Sequence, residues 1–135
     1  MAFGEVNSES EDRWKPVRHF VDSCNAAWQM AISPGYKLTV DESMISWYGK
    51  VDRPGGLPKV IKIKRKPKGI GCEAKTVADT LSGVMIGIEL NEGKEAMSKK
   101  RWHSSLGATT ATTLRLTEPW HGSGQIVVGD SCFIS

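Results

Sequence analysis

The run Gln125-Ile126-Val127-Val128-Gly129-Asp130 constrains the fold of this chain more than any other stretch. Its apolar residues are consecutive and β-branched, the pattern of a strand buried on both faces rather than one with a wet side. A helix-like segment precedes it, about Ala108 to Thr117, low in propensity because of its threonines and stopped by Pro119 and Gly122. A strand reached through a helical crossover pairs in parallel with a central strand of the same sheet. The chain is therefore expected to be α/β.

The remaining strands are legible from period and punctuation. Val84, Ile86, Ile88 and Leu90 alternate with Met85, Gly87 and Glu89, which predicts a strand with one face in the core. Leu38-Thr39-Val40 favours a strand running into Asp41, and Val60 to Lys64 reads as a second strand. Ile70, Cys72 and Ala74 continue an extended pattern toward Val77, and the polar turn Asp79 to Gly83 predicts a hairpin with the alternating strand. Residues 91–106 are charged and polar, with a short helix expected around Lys94 to Lys100. Ahead of all these, Trp14, Val17, Val21, Cys24 and Trp28 recur at spacings of three and four, widened by Phe20, Ala27 and Ala31. That stripe predicts a core-facing helix over about 13–31, with Asp12 as its cap, Pro16 in its first turn and Ser33-Pro34-Gly35 ending it. The expected architecture is a helix, a mixed sheet of about four strands with three antiparallel, a connecting helix and a parallel strand.

A length of 135 residues fits one domain, here 13–135 behind a polar tail at 1–12. Hydrophobic residues at 39% and charged residues at 24% exclude a disordered or fibrous chain. No apolar run approaches the roughly 18–20 residues of a membrane helix, and the first residues lack the basic-then-apolar order of a secretory leader, so neither membrane nor secretion is expected. The three cysteines are far apart and without zinc spacing, which points to a reducing, intracellular setting. A net charge of +3 announces no partner by itself, but Lys59, Lys62, Lys64, Arg65, Lys66 and Lys68 crowd together while acids gather near the N-terminus.

Two residues stand out for chemistry. Asp41 follows the first strand pattern and Asp130 the last, so parallel neighbouring strands would bring their carboxylates together. Two such charges about 4 Å apart repel by about 4 kcal/mol at an effective dielectric near 20, and a cation between them relieves it. Hard oxygen donors suit Mg²⁺ or Mn²⁺, the ions of two-metal phosphoryl transfer. An Asp at a strand end also serves as a cap or turn residue, and residue type alone leaves that reading open. Lys62, Lys64, Arg65, Lys66 and Lys68 would suit a phosphate backbone, with the lysines on one face; lysines also protect an edge strand from aggregation. Trp47, Trp102 and Trp120 either stack on bases or pack in the core. His19, His103 and His121 have no metal-ligand spacing, and His121-Gly122-Ser123-Gly124 reads as a turn rather than a phosphate loop, so no cofactor site is expected beyond the metal.

These residues resemble a known family. Ser33-Pro34-Gly35-Tyr36-Lys37-Leu38-Thr39-Val40-Asp41-Glu42 is similar to the piggyBac-type transposase segment whose strand delivers the first catalytic aspartate. Trp47-Tyr48-Gly49-Lys50 resembles its aromatic-Arg-Gly-Arg stretch, and Lys64 to Gly71 its lysine- and proline-rich entry to the next strand. Val127 to Ser135 is similar to the motif in which a strand ends in the second catalytic aspartate, with Ser131 where Asn is usual. The resemblance implies a truncated RNase H-like catalytic fold in which Asp41, Asp130 and a third Asp hold two metal ions, Mg²⁺ or Mn²⁺. It implies DNA as partner, with cut-and-paste transposition at TTAA sites, nuclear localisation, and self-association or pairing with intact transposase. Glu42 falls on the opposite strand face and is not assigned to the metal. The chain ends five residues after Asp130, so the third Asp is expected outside it and these residues are expected to be inactive alone. The alternative is a domesticated, non-catalytic nucleic-acid-binding or interaction module.

Overall fold

The first helix forms where the apolar spacing places it. In a computed structural model describing residues 12–49, 58–64, 67, 69–131 and 133, α1 spans Lys15–Ala31, with a proline in its first turn. Asp12 does not cap it as expected. Its carboxylate accepts the Trp14 N–H at 3.1 Å, one turn ahead of the helix, and its carbonyl accepts Lys15 N–H at 2.9 Å. Only part of the predicted stripe is covered: Trp14 is buried and Val17 and Val21 pack beside it, whereas Phe20, Ala27 and Ala31 are exposed.

Among the described residues the sheet has five strands. β1 (Lys37–Ser46) lies at its centre, antiparallel to β3 (Ile70–Asp79) on one side and parallel to β5 (Ile126–Gly129) on the other. β2 (Ile61–Lys62) and β4 (Met85–Leu90) both pair antiparallel with β3, at opposite ends of it. The mixed α/β sheet expected from the sequence is thus present, with the crossover to β5 made through α2 (Lys94–Ser98), α3 (His103–Leu106), α4 (Ala108–Thr117) and a 3₁₀ turn at Glu118–Trp120.

Four expectations are corrected. β1 does not end at Asp41, because its pairing with β3 continues through Ser46 opposite Gly71. Gly71 makes that close approach possible: a Cβ there would lie 2.0 Å from the Ile45 carbonyl oxygen. β5 is not buried on both faces, since Ile126, Val127 and Val128 are all exposed and no further strand pairs with it among the described residues. The second strand shrinks from Val60–Lys64 to two residues: Lys62 lies in β2 and Lys64 in a turn beyond it, while Arg65, Lys66 and Lys68 lie outside the described residues. Finally, the alternation in β4 is interrupted. A register shift at Val77/Ala78 leaves Ile86 as an extra residue between Gly87 and Met85, the signature of a bulge.

That bulge divides the core. Ile86 joins Leu38, Val40, Val77, Leu116 and Phe133 in one cluster, against which Trp120 packs. Leu90 joins Trp14, Cys72 and Ala74 in a second, with Ile88 beside it. Ion pairs link the helices to β4 and the segment after it: Arg115 on α4 reaches Glu89 on β4 at 2.7 Å, Arg18 on α1 pairs with Glu92 just past β4 and with Asp12, and Lys100 between α2 and α3 reaches Glu92 at 3.2 Å. Burial pushes the Glu92 carboxyl up, but the Arg18 and Lys100 cations outweigh it and leave the group below the usual carboxylate range. Among the described residues no helix is long and apolar enough to cross a membrane.

Candidate functional site

Asp41 and Asp130 each follow the last paired residue of their strand, where the parallel pairing stops. The β1–β5 ladder runs Lys37–Ile126, Leu38–Val127, Thr39–Val128 and Val40–Gly129, so each aspartate is the next residue on its strand. Neighbouring strands run about 4.8 Å apart, and side chains alternate between faces with period two. Continuing the register, both acids fall on the face opposite Leu38, Val40 and Val127, which is the face opposite the first core cluster. Among the described residues β1 continues beyond this point with β3 alone, so the two acids follow where the sheet narrows.

Hydroxyl groups surround Asp41. Thr76 is its cross-strand partner, nearly buried, and its Oγ1 donates to the Asp41 carbonyl at 3.3 Å and meets Ser43 Oγ at 3.2 Å. Thr39 Oγ1 meets Thr80 Oγ1 at 2.7 Å. The Asp41 carboxylate accepts the Glu42 N–H at 2.7 Å, which restrains its rotamer. After Asp130 the chain turns at once: Phe133 N–H donates to the Asp130 carbonyl at 2.9 Å, and the Phe133 ring enters the core. Both aspartates are exposed, and neither lines either of two open cavities, of about 280 Å³ and about 250 Å³.

Glu42 lies on the other face, as alternation requires, with its carboxylate 2.7 Å from Lys75 Nζ. Among the described residues, no three His, Cys, Asp or Glu side chains gather as a metal cluster. The two aspartates are a pair, not a triad. Lys62 and Lys64 are exposed at the far end of β3, away from the pair. Trp120 is partly buried against the first cluster, as the packing reading expects, and Trp47 and Trp102 are half-buried.

Sequence reasoning missed two polar residues that shape this region. Asp79 is buried at the end of β3, where its carboxylate accepts Gly35 N–H at 3.1 Å and Ser82 N–H at 2.9 Å. Hydrogen bonds from the Ser82 hydroxyl and amide hold it below the usual Asp range. The bulk of Pro34-Gly35 ahead of β1 and the turn signal after Asp79 were both visible, but nothing local says they meet. Asn25 on α1 is the other: its side chain accepts Ile88 N–H and donates to Ile88 C=O, each at 2.9 Å.

The fold defines a class: a mixed-sheet α/β architecture with acidic residues where a central strand and its parallel neighbour part. The family model described as Transposase IS4 matches residues 2–135, and the chain belongs to that family, the piggyBac type of transposase. A solved piggyBac transposase, in a synaptic complex with hairpin DNA, superposes with a TM-score of 0.76 at 22% identity, over 92% of this chain and 24% of that one. The chain thus spans about a quarter of the length of the protein it resembles in structure. A comparison with curated protein sequences gives no match.

Proposed function

We propose that this chain is part of the catalytic core of a metal-dependent DNA transposase, an RNase H-like domain running from about residue 13, in which Asp41 and Asp130 supply two of the metal-binding carboxylates. The observation that supports the reading is the β1–β5 register, whose last pair, Val40 and Gly129, is followed on each strand by one of the two acids. Two hard oxygen donors fit a divalent ion, and a third carboxylate from outside these residues would complete the set. Mg²⁺ or Mn²⁺ bound there would activate a hydroxyl nucleophile and stabilise the leaving oxygen of a phosphodiester. The protein's own part is to fix the carboxylates: Asp41 through the Glu42 amide and the β3 ladder, Asp130 through the turn that buries Phe133.

Two exposed carboxylates suit a polymer better than an enclosed small metabolite, which favours DNA as substrate. On this reading Lys62, Lys64, Arg65, Lys66 and Lys68 follow phosphates, the protein works in the nucleus on transposon ends and TTAA-type targets, and these 135 residues alone transpose nothing.

The test is metal-linked stability. A ligand that binds only the folded state at 100 times its Kd stabilises it by about 2.7 kcal/mol. Mn²⁺ or Mg²⁺ is expected to raise the melting temperature of the wild type, and to do so much less for Asp130→Ala, whose exposed side chain supports no core. An equal rise in both proteins removes the carboxylate-pair reading and leaves a nucleic-acid-binding module.

A further inference from the structure

Behind the two aspartates, on the opposite face of the sheet, one lysine touches both segments that carry them. Lys75 stands on β3 opposite Glu42, the residue after Asp41. Its Nζ lies 2.7 Å from Glu42 Oε1 and 3.2 Å from Glu73 Oε1. The same ammonium stands 5.1 Å from the centroid of the Phe133 ring, three residues after Asp130, within cation–π range. The lysine side chain is 20% exposed, and Phe133 is 4% exposed in the cluster formed with Leu38 and Val40.

We infer that Lys75 is a positioning residue for the carboxylate pair, tying the segment after Asp41 to the segment after Asp130 from behind the sheet. The inference rests on the reading of Asp41 and Asp130 as metal ligands. The β1–β5 ladder ends at Val40 and Gly129, so the ladder itself does not hold the two acids in register. What lies beyond it is a strand paired with β3 on one side and a turn on the other, two segments that the β1–β5 ladder does not join. Glu42 fixes the first through its backbone, since its N–H holds the Asp41 carboxylate while its side chain is held by Lys75. Phe133 fixes the second through its N–H to the Asp130 carbonyl while its ring faces the same ammonium. Each acid is therefore bracketed by a backbone hydrogen bond whose residue is anchored on Lys75. Outer partners of this kind orient metal ligands, and losing one typically weakens metal affinity by about 10–100-fold.

The variants are Lys75→Met, which keeps the stem and removes the charge, and Lys75→Arg, which keeps both the ion pair and the cation–π contact. Two readouts are taken on each: hydrogen exchange at the Glu42 and Phe133 amides relative to the core amide of Val77, and Mn²⁺ affinity from the relaxation of solvent water, with Asp130→Ala as reference. Lys75→Met is expected to exchange faster at both amides with Val77 unchanged, and to bind Mn²⁺ at least tenfold more weakly, while Lys75→Arg restores both. Unchanged exchange in Lys75→Met overturns the tie whatever the metal does. Faster exchange with unchanged Mn²⁺ affinity overturns the positioning role, with the wild type still binding and Asp130→Ala not. A wild type that binds no Mn²⁺ overturns the carboxylate-pair reading itself, and the positioning role falls with it.

Discussion

At the scale of single residues, the polar side chains that matter here act by bonding to backbone far away in sequence. Asp79 closes the β3–β4 turn through Ser82 and reaches Gly35 just before β1, so one carboxylate joins the start of the central strand to the hairpin beside it. Its folded-state pKa is lowered, chiefly by the Ser82 hydroxyl. A carboxyl group with a depressed folded pKa stabilises the fold above its unfolded value, about 3.9, and that contribution disappears as the pH falls through the folded value. Acid unfolding below about pH 4 is therefore expected to be shallower in Asp79→Asn, which at neutral pH is less stable than the wild type. Circular dichroism against pH reads this directly, and identical acid limbs for the two proteins would show that Asp79 is not the group responsible. No sequence pattern announces such a residue: Asp79 looked like one more turn former, and its burial follows only from where Gly35 ends up.

At the scale of elements, periodicity and punctuation located nearly all the helices and strands, and tertiary pairing decided what they did. Ala108 to Thr117 is helical despite its threonines because Leu116 is buried in the core and Arg115 is tied to Glu89. The alternation of Val84 to Leu90 was read as one continuous face, and the bulge opposite Val77 and Ala78 instead sends Ile86 and Leu90 to different clusters. A bulge is a property of two paired strands and leaves no trace in one of them. The far edge of β4 is handled by α1, whose Asn25 amide supplies both the donor and the acceptor that a neighbouring strand would have offered Ile88. Asn25→Ala strands both backbone groups and is expected to cost about 1–3 kcal/mol. Asn25→Asp keeps the acceptor for Ile88 N–H but faces its carbonyl with a negative charge, so it is expected to recover none of that loss. Urea unfolding of the three proteins measures both, and a wild-type midpoint in Asn25→Ala would mean that water replaces the amide without loss.

At the scale of the whole molecule, the two ends of the sheet are treated differently, and the difference bears on function. The β4 side is covered by α1 and laced by ion pairs, whereas β5 pairs only with β1 among the described residues and exposes Ile126, Val127 and Val128. The β-branched run was legible in the sequence and so was its parallel pairing; its burial was not, because burial depends on what lies on the far side of the strand. A short, apolar strand with one row of backbone groups unclaimed by a neighbouring strand is a template for pairing with another chain. Asp130 is the residue after that same strand, so a chain that pairs with β5 would arrive beside it. The polypeptide of these residues is accordingly expected to self-associate as its concentration rises, and Ile126→Lys, which places a charge at a position 55% exposed, is expected to shift it toward monomer. Because the replaced side chain supports little of the core, the stability of the variant should stay within about 0.5 kcal/mol of the wild type. Sedimentation velocity over a concentration series separates the outcomes: a wild type that stays monomeric throughout, or an Ile126→Lys protein that associates equally well, removes β5 as the joining edge.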